Sequence, residues 1–218
     1  MVRRLSPRAF NNTRKRLLKG EKSSYALVVL LLRGFFGPNA SLGRPHWPGQ
    51  FWDDTPITYV FSSTLDNLDI DGDTGQQALA ETLISNGAEK WNDVGTDFQL
   101  NEGSSGGNIV SASSIDGSGD ILAITTTNWN VVTLEIINND TVYDTAELWQ
   151  SDEDAVFNPI LEYVATHEFG HWVHLEDVGD DAGENPNNPP TTMGWLYNKN
   201  LYTDVLTHDA STLEDVYP

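Results

Sequence analysis

The chain has 218 residues, with 32 Asp and Glu against 12 Lys and Arg, for a formal net charge of −20. With 39% hydrophobic residues it has material for one sizeable core and a short leader, and not for two full domains. A balance this acidic excludes nucleic-acid binding through a phosphate-neutralising patch, and zero cysteines exclude disulfides and any cysteine-based latency switch.

Charge divides the chain sharply. Residues 1–40 carry nine Lys and Arg against one Glu, whereas residues 41–218 carry three basic residues against thirty-one acidic ones. Self-repulsion at that density is best tolerated where salt screens it, which points to a protein adapted to high salt. An ordinary acidic secreted protein shares the composition, and both readings stay open. Residues 1–44 read as a basic leader, either a signal peptide or a short pro-segment. Its apolar run, Tyr25 to Leu32, is eight residues long. A bilayer span needs about 20, so this run suits the hydrophobic stretch of an export signal and leaves the mature form without a stable membrane span. Thr13-Arg14-Lys15-Arg16-Leu17-Leu18-Lys19 resembles a twin-arginine signal with Lys in place of the second Arg. The expected location is therefore outside the cell.

The body, residues 45–218, begins with Ile57 to Phe61, whose alternation and β-forming residues predict a first strand. Asp69-Ile70-Asp71-Gly72-Asp73 is acidic enough to suggest calcium, but its glycine is misplaced for an EF-hand loop. From Gly75 to Val94, the positions Ala78, Leu79, Leu83, Ile84, Ala88 and Trp91 repeat at helical spacing, with Gly87 weakening the middle. Four short strands follow, at Asp97–Leu100, Asn108–Ser111, Ile121–Thr125 and Thr133–Ile137. The Gly-rich loop Asp116 to Asp120 offers carboxylates and carbonyls to calcium, or is a plain polar turn. Asn139-Asp140-Thr141 is a glycosylation sequon and predicts surface exposure.

The densest chemistry lies at His167-Glu168-Phe169-Gly170-His171. On a helix, residues four apart stand one turn above each other, so the two imidazoles reach one metal ion from the same face. Glu168 points elsewhere, which leaves its carboxylate placed to take a proton from a zinc-activated water. Ile160, Leu161, Tyr163, Val164, Phe169, Trp172 and Val173 surround the motif, so the helix should be buried on most sides. A catalytic zinc site has three protein ligands and an open position. Asp177 supplies the third if the chain turns back after the helix. His174 is the alternative, on the same face but about 10 Å from His167 along the axis.

From His167 to Asp177 the chain reads H-E-F-G-H-W-V-H-L-E-D. This resembles the HExxHxxGxxH/D motif of the metzincin metalloproteases, and more closely their matrixin branch, with His174 standing where the family has glycine. Thr191-Thr192-Met193 stands at the place of the family's Met-turn, and Tyr197 at the place of the S1′ pocket wall, although Trp195 replaces the usual proline. By itself Met193 would read as core filling. The chain end from Leu206 to Tyr217 looks like the matrixin closing helix. Asp209 there matches a residue that anchors the active-site region, a simple N-terminal helix charge being the competing explanation.

The resemblance implies an α+β zincin fold: a mixed, twisted five-stranded sheet, two long helices, a Met-turn and a C-terminal helix. It also implies a secreted, monomeric zinc endopeptidase that acts on protein or peptide substrates, with His167, His171 and Asp177 on the metal and Glu168 as general base. A peptide would pair with the free edge of the strand after the Gly-rich loop. Two rivals stand beside it. One is a gluzincin-type peptidase whose third ligand is Glu176, Glu184 or Glu214; the other is a metal-binding surface or adhesion module without turnover.

Overall fold

The computed structural model describes the backbone of residues 2–3 and residues 49–151, 158–177, 191–194 and 204–218. Most of the expected leader, including Tyr25 to Leu32, lies outside the described residues, as do Glu184, Trp195 and Tyr197.

The architecture is α+β. Strands β1 (Val2–Arg3), β2 (Ile57–Phe61), β3 (Asp69–Ile70), β4 (Leu100–Glu102), β5 (Asn108–Ser113), β6 (Ile121–Trp129), β7 (Ile136–Asp144) and β8 (Leu148–Trp149) accompany helices α1 (Gln77–Asn92), α2 (Leu161–Trp172) and α3 (Thr207–Val216). The body contributes five strands to one mixed sheet in the order β6-β7-β5-β2-β4, and β1 adds a sixth at the β6 edge. β6 and β7 are antiparallel, while β7, β5, β2 and β4 run parallel to their neighbours. β3 and β8 form a separate parallel pair.

Helix α1 forms where the periodicity placed it, because Ala80, Leu83, Ile84, Ala88 and Trp91 recur every three or four residues and are all buried. Gly87 does not interrupt it. A Cβ at Gly87 would stand 2.7 Å from the Thr166 backbone nitrogen and 2.8 Å from the Ala165 Cβ, so the missing side chain is what lets α1 and α2 approach. At the contact the Trp91 indole donates to the Thr166 carbonyl at 2.7 Å.

Three expectations shift. The strand expected at Asp97–Leu100 forms at Leu100–Glu102: the Phe98 N–H is taken by Thr96 Oγ1, and Gln99 meets β2 only through its carbonyl, which accepts from Ile57 N at 2.8 Å. The strand expected at Thr133–Ile137 starts at Ile136 and runs on to Asp144. Its buried positions include Asn139, Thr141 and Asp144, polar residues that a hydrophobicity pattern does not register. For the same reason the sequon fails as a surface marker. Asn139 is fully buried, and its side-chain amide donates to the Trp172 carbonyl at 3.3 Å, which removes it from a glycosylating enzyme.

The edge of β6 is also not free. Val2 and Arg3 pair with it antiparallel, opposite Ala123 and Ile121, as an exposed strand edge recruits any extended segment within reach. No helix among the described residues is long and apolar enough to cross a membrane.

In an exposed helix Gly→Ala gains up to about 1 kcal/mol. Gly87→Ala should instead lose about 1–3 kcal/mol, because the added methyl meets backbone that cannot move aside. Urea unfolding of the metal-free protein measures the difference.

Candidate metal centre

Helix α2 is buried on nearly every side, with His167 4% and Glu168 0% exposed. Each histidine is oriented by a backbone carbonyl. His167 Nδ1 donates to Thr192 O at 2.9 Å, and His171 Nδ1 donates to Leu175 O at 2.7 Å. A carbonyl only accepts, so both Nδ1 atoms carry the proton and a neutral ring presents Nε2 as a bare lone pair.

Both Nε2 atoms face the same carboxylate oxygen. Asp177 Oδ1 lies 3.1 Å from His167 Nε2 and 3.4 Å from His171 Nε2. Three lone-pair donors therefore converge, and only protons or a cation between them make the cluster favourable. Burial lowers the His167 pKa and so works against the proton. A tetrahedral ion about 2.0–2.1 Å from each donor would set neighbouring donors roughly 3.3–3.4 Å apart, close to the separations seen. The donor set is thus the right size and chemistry for a divalent cation such as zinc.

The turn that delivers Asp177 is built by His174. Its φ of 63° is left-handed, the conformation for which glycine is usually chosen and which His tolerates better than bulkier residues. Leu175 N donates back to Gly170 O at 3.0 Å and His174 N to His171 O at 2.9 Å, closing α2 with a Schellman-type cap. The His174 ring itself turns away and meets the Trp129 ring edge-on, with centroids 5.9 Å apart. So His174 makes the turn, and Asp177 is the residue brought to the imidazoles.

Glu168 occupies a different position. Its carboxylate lies near the two histidines, with one donor atom from each of the three residues inside 4.8 Å, and Oε2 accepts from Thr125 Oγ1 at 2.7 Å. Burial pushes its pKa up, but surrounding positive charge, that of His171 and His167 included, and the Thr125 hydroxyl outweigh it, so the carboxyl stays below its usual range. Burial likewise opposes the charge on Asp177, and His171 and His167 help to hold it well below the ordinary value.

Beneath the site, Gly170 packs directly on Met193: a Cβ there would fall 2.1 Å from the Met193 Sδ. Met193 is fully buried. Asp209, at the start of α3 and also fully buried, accepts from Thr191 Oγ1 at 2.5 Å and from Thr192 N at 2.7 Å. It therefore fixes Thr192, whose carbonyl orients His167, together with its neighbour Thr191, a role a simple helix-terminal charge would not need. Gly170 and Thr125 were not singled out from the sequence; an invariant spacing marks neither, and only the packed partners reveal them.

In the Gly-rich loop Asp116 Oδ1 accepts from Ile121 N at 3.3 Å, while two carboxylates from beyond the loop hold its backbone, Asp144 Oδ2 accepting from Asp116 N at 3.3 Å and Glu147 taking the Gly119 N–H. Asp71 is held by Ser151 through N at 3.1 Å and Oγ at 2.5 Å. Asp71 and Asp116 thus have partners of the kind found in a plain polar turn.

No family model matches the chain, and no curated protein matches it.

Two outcomes follow from the geometry. Asp209→Asn should cost about 1–3 kcal/mol in thermal or urea unfolding, because the amide turns a donor towards Thr191 Oγ1 or Thr192 N. His174 has its pKa lowered to about 4, by burial first and by His171 second. A depressed histidine is neutral when folded while the unfolded chain takes up the proton below about 6.5, so stability is complete above that pH and declines on acidification towards 4. In the metal-free protein His174→Asn, which keeps the left-handed turn, should remove a loss on the order of 3 kcal/mol across that window, read from unfolding curves at stepped pH.

Proposed function

We propose that this chain is a zinc-dependent endopeptidase of the metzincin type, closest to the matrixins, exported from the cell and suited to salt. The observation that carries the reading is the convergence of His167 Nε2, His171 Nε2 and Asp177 Oδ1 at 3.1 and 3.4 Å, with a second carboxylate, Glu168, on the same helix. When bound, zinc supplies Lewis acidity towards a peptide carbonyl and makes a water acidic enough to be deprotonated near neutral pH.

The chain's own residues do the rest. His167 and His171 hold the ion through Nε2, their Nδ1–H groups pinned to backbone so that the rings cannot rotate out of place. Asp177 completes the set and brings one negative charge. Glu168, ionised at neutral pH and oriented by Thr125, accepts the proton of the attacking water and returns it to the departing amine nitrogen. The extended substrate pairs along the β6 edge in place of Val2–Arg3, the strand that holds that edge in this structure. The basic leader and acidic body support export and use in salt.

Purified protein should bind one zinc per chain and cleave an unfolded protein such as casein, with chelation abolishing cleavage and zinc restoring it. Glu168→Gln should keep the zinc while turnover falls roughly 10²- to 10⁴-fold. Asp177→Ala should weaken zinc binding by far more than His174→Ala. Stoichiometric zinc without cleavage at any salt concentration would favour a metal-binding module instead, and a stronger loss of zinc from His174→Ala would overturn the ligand assignment.

A further inference from the structure

Behind Glu168 lies a chain of side chains that zinc binding does not require. Thr125 on β6 and Thr141 on β7 are cross-strand partners, and both face α2. Their hydroxyls are 2.7 Å apart. Trp172, at the end of α2, donates from Nε1 to Thr141 Oγ1 at 2.8 Å, and Thr125 Oγ1 lies 2.7 Å from Glu168 Oε2.

The proton order along this chain has one solution. An indole N–H only donates, and a carboxylate only accepts. Between them stand two hydroxyls, each with one proton to give. Trp172 gives to Thr141, Thr141 must then give to Thr125, and Thr125 must give to Glu168. Reversing either hydroxyl would set two protons face to face or leave the carboxylate without its donor. Thr141 and Trp172 are 1% and 0% exposed, so water does not replace a missing link there.

Other buried groups resist such an argument. Trp172 also anchors the end of α2 through its carbonyl, which accepts from Trp52 Nε1 at 2.7 Å and from the Asn139 amide at 3.3 Å. That fixes the donor end of the chain to the same helix that carries Glu168, so the run Trp172–Thr141–Thr125–Glu168 leaves α2, crosses two strands and returns to α2 four residues earlier. The loop is closed, and the strands set its length.

We infer that Trp172, Thr141 and Thr125 form a one-directional hydrogen-bond relay that positions the Glu168 carboxylate for proton transfer, with Thr125 as the contacting residue and the other two acting through it. The inference rests on Glu168 being the general base. Thr125 is a positioning residue, since its hydroxyl touches neither the metal ligands nor the reacting atoms of the substrate in this account. Its hydroxyl keeps one carboxylate oxygen, Oε2, occupied.

The test uses the full chain loaded with zinc. Thr125→Val, which keeps the shape and removes the hydroxyl, should lower kcat roughly tenfold to a hundredfold, as displacement of a catalytic group by about 1 Å does, with KM and zinc affinity changed less than about twofold. Thr125→Ser should restore kcat to within about threefold of the parent. Thr141→Val should lower kcat in the same direction but less, since Thr125 still has Glu168 as its acceptor. A second readout needs no turnover: in the metal-free protein, the melting-temperature shifts of Thr125→Val and Glu168→Gln should fail to add by about 2 °C or more, whereas Thr125→Val and Gly87→Ala should add. Parent kcat in Thr125→Val, a loss that Thr125→Ser does not rescue, or additive melting shifts would each overturn the relay. If Glu168→Gln itself kept parent turnover, the general-base reading would fall, and the inference with it, whatever the melting shifts showed.

Discussion

Two imidazole N–H groups tied to two backbone carbonyls are the constraint on which the site depends. With Nδ1 of His167 on Thr192 O and Nδ1 of His171 on Leu175 O, the remaining ring nitrogens have no freedom of tautomer or rotation, and both look at one oxygen of Asp177. The carbonyls themselves are placed by unrelated pieces of chain. Thr192 is held by the buried Asp209 of α3, and Leu175 by the left-handed turn at His174 that closes α2. The closing helix and the helix cap are thus parts of one ligand-orienting frame, although neither contributes a donor atom to the cluster. Outer partners of this sort usually govern metal affinity almost as strongly as the ligands do.

The sheet contributes chemistry as well as support. On β7 the buried side chains that face α2 include Asn139 and Thr141, and each satisfies a group at the end of that helix: Asn139 its last-turn carbonyl, Thr141 the Trp172 indole. Polar groups this deeply buried are tolerable only when paired, and unpaired they would cost roughly 1–3 kcal/mol each. Pairing them to one helix makes the helix position exact at the level of single hydrogen bonds, which apolar packing alone would not. The same stripe carries the hydroxyl chain to Glu168. Elsewhere the α1–α2 contact uses the opposite device, an absence of atoms at Gly87 and a single indole hydrogen bond.

Charge acts at longer range. Lys90 is the one Lys or Arg whose side chain falls among the described residues, and it bridges Glu162 at 3.0 Å and Asp204 at 3.2 Å, tying the first turn of α2 to the segment before α3. An excess of carboxylates this large gives the surface a negative potential that attracts cations, and salt relieves its self-repulsion. A site built of two imidazoles and two carboxylates sits comfortably in such a field.

How much of this was legible beforehand varies with the kind of interaction. Periodic patterns were readable: α1, α2 and strand β2 fall at or within two residues of the places that spacing and composition assign them, and α3 within one residue of the stretch marked by its likeness to a closing helix. That His167 and His171 share one face of α2 follows from 3.6 residues per turn, so the motif alone specified it. Patterns break down where burial is polar. β7 and Asn139 were misjudged because buried Asn and Thr look like surface residues until their partners are known, and β4 starts later because the Thr96 hydroxyl takes the Phe98 N–H. The choice between Asp177 and His174 depended on the backbone sign at one residue, a left-handed φ of 63° at His174, which no side-chain pattern encodes. The sequence by itself therefore determined which residues of the motif share one face of α2, because local helical geometry has a range of a few residues. Only the tertiary structure decided how they are oriented, because Thr192, Leu175, Asp209, Thr125 and Thr141 reach the helix through contacts that join distant parts of the chain.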